Sequence, residues 1–267
     1  MVFTLTDIPR AMRQEGWPIG AAVMERWFAG AARIMPNAEK EGRLPQRDVE
    51  TRLVTLGWCR RFARFTAAEN ELIGTWSSAA RLNAARANLA DKVRAWRQRA
   101  GAAGAFRFGD LAAGPARADQ TCQLNFQRIE SALFGDVDDF YAAIGRGSVK
   151  IAVAGDVVPL PNGRLRLTID EVGTYLRDTY DFNGDQMLGS WGPTGLSRAA
   201  VFAPDIPVVR ETGKDGGNGV FARRYWSVGN ESFRDWRSHY GRGGDFTIYS
   251  GIGRRRLLRP VIMEFAA

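Results

Sequence analysis

Val149-Lys150-Ile151-Ala152-Val153 and Leu165-Arg166-Leu167-Thr168-Ile169, joined across Pro161-Asn162-Gly163, decide the reading of this chain. In each run the large apolar residues fall at every second position, the repeat of a strand with one face in a core. Pro-Asn-Gly supplies turn chemistry, so the stretch predicts a β-hairpin. Working outward, further strands are predicted at 172–180, 199–203, 219–227, 246–250 and 257–265, with a glycine-rich loop from Gly213 to Gly219. Asn230 to Tyr240 carries helical spacing instead, with Asn230 or Ser232 as cap and Phe233, Trp236 and Tyr240 facing inward. Upstream the period is that of helices. Ile19, Ala22, Val23, Trp27, Ala31 and Ile34 follow Pro18 at spacings of three and four. Val54, Trp58, Phe62 and Phe65 do so after an acidic start at Asp48 and Glu50. Leu82, Leu89, Val93 and Trp96 lie between a capping Ser78 and a stopping Gly101. A fourth helix is expected over Gln123 to Leu133, and residues 101–118, dense in Gly, Ala and Pro, read as a long connection. The prediction is an α+β fold in which a helical region, 1–145, is packed on or followed by a β-rich antiparallel region, 146–267.

A chain of 267 residues with 45% hydrophobic and 25% charged residues can build a core and is not disordered by composition. The net charge of +8 suits an anionic partner, but the excess is shared between the two regions and forms no basic tail. The densest cluster, Arg254, Arg255, Arg256 and Arg259, reads as a solvated edge that discourages strand pairing. Charge alone supports nucleic-acid binding, so no nucleic-acid partner is expected. Cys59 and Cys122 are too far apart in sequence to suggest a disulfide framework or a metal pair and are expected to be buried thiols. A single histidine, His239, excludes His-rich zinc sites. The first residues, with Asp7, Pro9, Arg10, Arg13 and Glu15, do not resemble a secretory signal, and no apolar run approaches a membrane span. The expected location is the cytoplasm of the producing cell.

The densest polar stretch is Arg177-Asp178-Thr179-Tyr180-Asp181-Phe182-Asn183-Gly184-Asp185, where a long strand ends and the chain turns. On a strand Asp178 and Tyr180 share a face, and Asp181 reaches the same space if the strand ends there. Asp178, Asp181 and Asp185 repel unless compensated by a cation, Arg partners or protons, and such hard oxygen ligands suit Mg²⁺ or Ca²⁺. The alternative is a turn whose Asp and Asn side chains bond their own backbone. Asp181-x-Asn183-x-Asp185 also resembles the opening of a calcium loop, but an EF-hand is not expected, because the glycine is misplaced and the twelfth position is Gly192. Near the other end, Arg234, Arg237, Arg242 and the loop Gly241-Arg242-Gly243-Gly244-Asp245 fit either a polyphosphate site or a helix stop followed by a strand start.

Asp178-Thr179-Tyr180-Asp181, after a strand hairpin, resembles the Asp-x-Tyr-Asp signature of colicin M-type bacteriocins. That resemblance implies a Mg²⁺-dependent phosphodiesterase that cuts the peptidoglycan precursor lipid II beside its pyrophosphate. Asp181 would be base or nucleophile, Asp178, Asp181 and Asp185 would hold the metal, and Tyr180 would position a phosphate oxygen. The signature continues with His-Arg six and seven residues later, where this chain has Met187 and Leu188. A replacement cation is then required, with Arg198, Arg237 and Arg242 as candidates, Arg234 beside them for substrate, and His239 as an acid–base group. A second resemblance covers more of the chain. Ile8-Pro9-x-Ala11-Met12, Gly16-Trp17-Pro18 and Met24-x-Arg26-Trp27-Phe28, with Phe233-Arg234-x-Trp236-Arg237 and Gly243-Gly244-Asp245-Phe246, resemble a proteobacterial family of unknown function encoded beside type VI secretion genes. It implies an antibacterial effector delivered to a target cell's periplasm, where it meets a lipid substrate at the membrane surface, with a spike or adaptor and a cognate immunity protein as partners. The other class of function is a non-enzymatic accessory that binds an effector or the spike. Trp17, Trp27 and the helical first half would then supply a binding face, although the helical spacing of these residues also fits a core.

Overall fold

The computed structural model describes residues 3–40, 44–130, 137–197, 211–213, 221–223 and 225–266. After a 3₁₀ turn at Leu5–Asp7 come α1 (Ile8–Gln14), α2 (Pro18–Ala29) and α3 (Asn37–Lys40). A second 3₁₀ turn, Gln46–Asp48, leads into β1 (Val49–Glu50), α4 (Leu56–Cys59), α5 (Ala63–Thr75) and α6 (Ala79–Ala100). Next are β2 (Phe106–Phe108), α7 (Pro115–Thr121), β3 (Gln123–Arg128) and α8 (Asp139–Ile144). The hairpin β4 (Ser148–Pro159) and β5 (Arg164–Tyr180) precedes β6 (Met187–Gly192), β7 (Gly195–Leu196), β8 (Glu211–Gly213), β9 (Phe221–Arg223) and β10 (Trp226–Gly229). The chain closes with α9 (Asn230–Tyr240), β11 (Phe246–Tyr249) and β12 (Gly253–Ala266). The fold is α+β, as expected. Its residues group into two compact units that interleave in sequence: Met1–Asn37, Ala132–Gly145 and Tyr180–Phe246 form the first, and Ala38–Ser131, Arg146–Thr179 and Thr247–Ala267 the second.

The second unit is built on the predicted hairpin. Its strands pair from Ser148 opposite Arg177 to Pro159 opposite Leu165, and the run expected at 172–180 is the continuation of β5 rather than a separate strand. A bulge falls between Ala154 and Gly155, where β5 steps from Glu171 to Ile169. A Cβ on Gly155 would lie 2.1 Å from the Thr168 carbonyl oxygen, so the close approach of the two backbones there requires glycine. The hairpin is the centre of a seven-stranded sheet of order β1-β11-β5-β4-β2, with β12 also on β5 and β3 also on β4. β1 runs parallel to β11, which makes the sheet mixed. Val149, Ile151 and Val153 are buried, but so are Ala152 and Ala154, because helices cover the face that simple alternation assigns to solvent. Among them is α6, which starts on the Ser78 side chain and stops at a left-handed Gly101, as its sequence predicts.

Three expectations are corrected here. Gln123 to Arg128, the start of the helix expected over Gln123 to Leu133, is a strand. Gln123-Leu124-Asn125-Phe126-Gln127-Arg128 alternates with period two and pairs antiparallel with β4. The acidic residues at 48 and 50 do not open a helix either: Glu50 is buried and folds back to accept the backbone N–H groups of Arg52 and Leu53 at 2.7 and 3.1 Å. The helical residues that follow divide into α4 and α5, which still bury Trp58 and Phe65. The connection at 101–118 contains β2 and the start of α7, with Pro115 at the first helical turn. Cys59 and Cys122 are buried free thiols, and burial pushes the Cys59 thiol up to about 12.

Glu69 of α5 ties the helices of this unit to the sheet. It takes the Arg60 guanidinium through two bonds of 2.8 and 2.9 Å and the Thr174 hydroxyl of β5 at 2.6 Å. Burial raises its pKa, but the bonds from Arg60 and Thr174 and the Arg60 charge outweigh that, and the net shift is downward. A carboxyl with a lowered folded pKa stabilises the fold above the ordinary glutamate range and loses that contribution as pH falls through the folded value. The denaturant midpoint of the native protein should therefore drop between pH 5 and 3 more steeply than that of Glu69→Gln, which is expected to be weaker at pH 7. Parallel acid limbs for the two proteins would remove this role.

In the first unit, Asp139 at the start of α8 accepts the Ile19 and Gly20 N–H groups of α2 at 3.0 and 2.8 Å, satisfying two donors that a helix N-terminus leaves open. β10, β6 and β7 form a three-stranded antiparallel sheet, and β8 pairs with β9. Of the strand expected at 219–227, the described residues 221–223 belong to β9 and 226–227 to β10, while the strand at 199–203 and most of the glycine-rich loop lie outside the described residues. The helix expected at 230–240 is present. The Ser232 hydroxyl takes the Gly229 N–H at its start, and Gly241 ends it in the left-handed conformation. Phe233 faces inward as expected, but Tyr240 is exposed because it stands in the last turn, beyond the packed part of the helix. Trp17 and Trp27 are buried and offer no binding face.

Candidate functional site

Phe182 anchors the acidic corner of the first unit. Its ring stacks on Phe233 at 3.8 Å, meets Trp27 edge-on at 4.8 Å and Tyr180 at 5.4 Å, while Tyr180 stacks on Phe246. This apolar seat fixes where the flanking carboxylates can stand. Half-buried Asp181 accepts the Asn183 N–H at 3.1 Å, closing a local turn. Asp185 is solvent-exposed and meets Arg234 at 3.3 Å. The same guanidinium also donates to the carbonyls of Phe182, at 3.0 Å, and Gly184. Asn230 of α9 holds the Asn183 carbonyl at 2.6 Å. The turn 182–185 is therefore clamped onto the first helical turns of α9. Asp178 lies on β5 in the second unit, and Arg198 lies outside the described residues.

Arg237, one turn further along α9, is buried. Its Nη2 donates to Asp245 Oδ1 at 2.6 Å, and its guanidinium lies 5.0 Å from the Trp27 ring centre. Asp245 also accepts Trp27 Nε1 at 3.2 Å and, through its other oxygen, the Met35 N–H at 3.0 Å. Burial raises the Asp245 pKa, the Met35 N–H, the Arg237 charge and the Trp27 N–H pull it back, and the neighbouring charge of Asp181 pushes it further up. His239 and Arg242 stand on the exposed surface of the same segment.

The loop 241–245 resolves the choice between anion cradle and helix stop. The Gly243 N–H donates to the Gly30 carbonyl at 2.9 Å, that of Gly244 to Trp27 at 3.1 Å, and that of Asp245 to Arg33 at 3.1 Å. Amides bound in this way are not aimed at a ligand. Gly243 has φ +96° and lies flat against Trp27, whose indole a Cβ would meet at 2.5 Å. The glycines therefore let α9 stop and the next segment lie against 30–33.

A second polar cluster, inside the second unit, has no counterpart in the sequence reading. Asp119 of α7 accepts Tyr175 Oη at 2.8 Å and Tyr249 Oη at 3.0 Å, and pairs with Lys150 at 2.9 Å and Arg177 at 3.1 Å. Lys150 and Tyr175 are opposed on β4 and β5, and Tyr249 comes from β11. Both phenols are pushed to higher pKa by burial and then by the Asp119 charge, so they stay neutral donors. Lys92 nearby, bonded to the Gln123 carbonyl at 2.8 Å, is lowered by burial and raised in part by Asp119. Two cations and two phenols thus converge on one carboxylate, which suits a polar core better than proton transfer near neutrality.

Among the described residues no three His, Cys, Asp or Glu side chains converge to hold a metal ion. In the acidic corner of the first unit Asp181 closes a local turn and Asp185 is paired with Arg234. No helix among the described residues is long and apolar enough to cross a membrane.

An α+β protein with a mixed seven-stranded sheet in one unit and an aromatic, arginine-clamped corner in the other is what the fold and site define. The chain belongs to DUF6402, a family of unknown function, whose model matches residues 3–265. Comparison with curated proteins and with solved structures gives no match.

Proposed function

We propose that this protein is a non-enzymatic accessory of type VI secretion, an adaptor that binds an effector or the spike and works in the cytoplasm of the producing bacterium. The observation that carries this reading is the use made of the arginines of α9: Arg237 is buried against Asp245 and Trp27, and Arg234 closes the turn at 182–185. Groups held in this way serve the fold before they serve a reaction. The link to secretion rests on the resemblance of the Ile8–Phe28 and Phe233–Phe246 segments to proteins encoded in that context. Stable co-purification of the full chain with a spike or effector protein, with no growth defect when it is sent to the periplasm of a recipient cell, is the expected result. Mg²⁺-dependent release of a pyrophosphate-linked product from lipid II, abolished by Asp181→Asn, would overturn it.

That second outcome belongs to the effector reading, which one arrangement favours: Tyr180 and Asp181 flank Phe182, whose ring meets Trp27, and the Trp27 ring also carries the Arg237 guanidinium. In that reading Asp181 takes the proton of the attacking group, Tyr180 orients a phosphate oxygen and Arg237 offsets developing negative charge. A cognate immunity protein would then protect the producing cell.

A further inference from the structure

The bulge in β12 carries an inference that stands whichever of those readings holds. Arg256 of β12 pairs with Glu171 of β5, and the next paired residue, Val261, faces Ile169. Leu257, Leu258, Arg259 and Pro260 therefore stand opposite Asp170 alone, and the strand is forced outward there. Leu258 is 103% exposed at the apex, and Ile262 beside it is 60% exposed. Arg254 is tied to Glu171 at 2.8 Å, whereas Arg255, Arg256 and Arg259 are exposed and make no salt bridge among the described residues. The nearest acids are already bonded elsewhere: Asp170 binds Arg107 through both oxygens and feels the Arg256 charge only at longer range, and Glu171 holds Arg254.

We infer that this bulge is a contact site for an anionic lipid surface, with Leu258 entering the interface and Arg255, Arg256 and Arg259 meeting lipid phosphates. Three features select that partner. Successive strand residues point to opposite faces, so Arg255 and Arg256 flank the edge on both sides, and cations around an apex match a plane of phosphates better than a one-sided groove. The bulge breaks the row of backbone donors and Pro260 has none, so the edge is a poor template for an added strand. A protruding leucine ringed by cations also gains from hydrocarbon and headgroup together.

The test is flotation of the full chain with vesicles of phosphatidylcholine alone or with one third phosphatidylglycerol. Binding is expected only to the anionic vesicles, and to weaken as salt shortens the range of the charges. Each arginine at such a surface is worth about fivefold in partition, so reversing 255, 256 and 259 to glutamate should cut binding by roughly a hundredfold or more. Leu258→Ser, which leaves the charge unchanged, should lower it several-fold. Arg52, Arg61 and Arg99 are exposed elsewhere, and their reversal to glutamate controls for net charge. Absence of binding to anionic vesicles, equal loss in the control triple, or binding indifferent to Leu258→Ser would overturn the proposal. Capture by heparin or polyglutamate that depends on the same four residues, without vesicle binding, would assign the bulge to a polyanion or an acidic protein instead.

Discussion

Arg237→Met should lower the stability of the unit that holds it by about 3–5 kcal/mol, because it leaves the Asp245 carboxylate buried without its cation. Asp245 is fully buried on its side chain and Arg237 nearly so, so water does not replace the lost partner. The remaining bonds from Trp27 and Met35 hold a carboxylate without neutralising it. Adding Asp245→Asn should recover a good part of the loss, since the amide oxygen still accepts and no charge is stranded. Urea unfolding followed by tryptophan fluorescence reads this directly, because Trp27 lies against the guanidinium. A catalytic arginine without structural duty would show the opposite pattern, an unchanged midpoint with lost activity.

Asp119→Ala should be comparably severe, at about 3–5 kcal/mol, with folded protein expected only at low temperature. The substitution removes the Asp119 charge from Lys150 and Arg177 and takes from the hydroxyls of two buried tyrosines the acceptor they use. Asp119→Asn keeps an acceptor but removes the charge and is expected to fall between alanine and native. Tyr175→Phe, which deletes one donor and leaves the ion pairs, should cost only about 1 kcal/mol. Midpoints in which Asp119→Ala matches Tyr175→Phe would show that the cations find other partners and that the network is not held at Asp119.

The hairpin, the C-terminal strands and α9 were legible because their periods are long and uninterrupted. β3 was not, because Leu124 and Phe126 are too few apolar residues to distinguish a strand from one face of a helix. The aromatic seat of the acidic corner is readable only in part: Trp27 and Phe233 announce themselves as core residues, but nothing local says that Phe182 joins them. Arg237 was legible as a charged residue near an acidic loop, and its burial was not, since that depends on Trp27 arriving from a distant helix. The Asp119 cluster was illegible for a stronger reason. Its members come from one short helix and three strands, and Lys150 sits at a position that alternation assigns to solvent until α7 covers it. Whether Gly241 to Asp245 cradles an anion or ends a helix turned on where three amide hydrogens point, which residue types alone do not encode.

The interleaving of the two units limits how the molecule can be dissected. No single cut separates them: a fragment ending at Gly145 lacks the hairpin of one and the α9 segment of the other, and its complement lacks the long helices and α2. Truncation mapping would therefore report misfolding at nearly every boundary, and a lost interaction in such a series would carry no information about where a partner binds. Epitopes on this chain have to be sought with surface substitutions in the intact polypeptide.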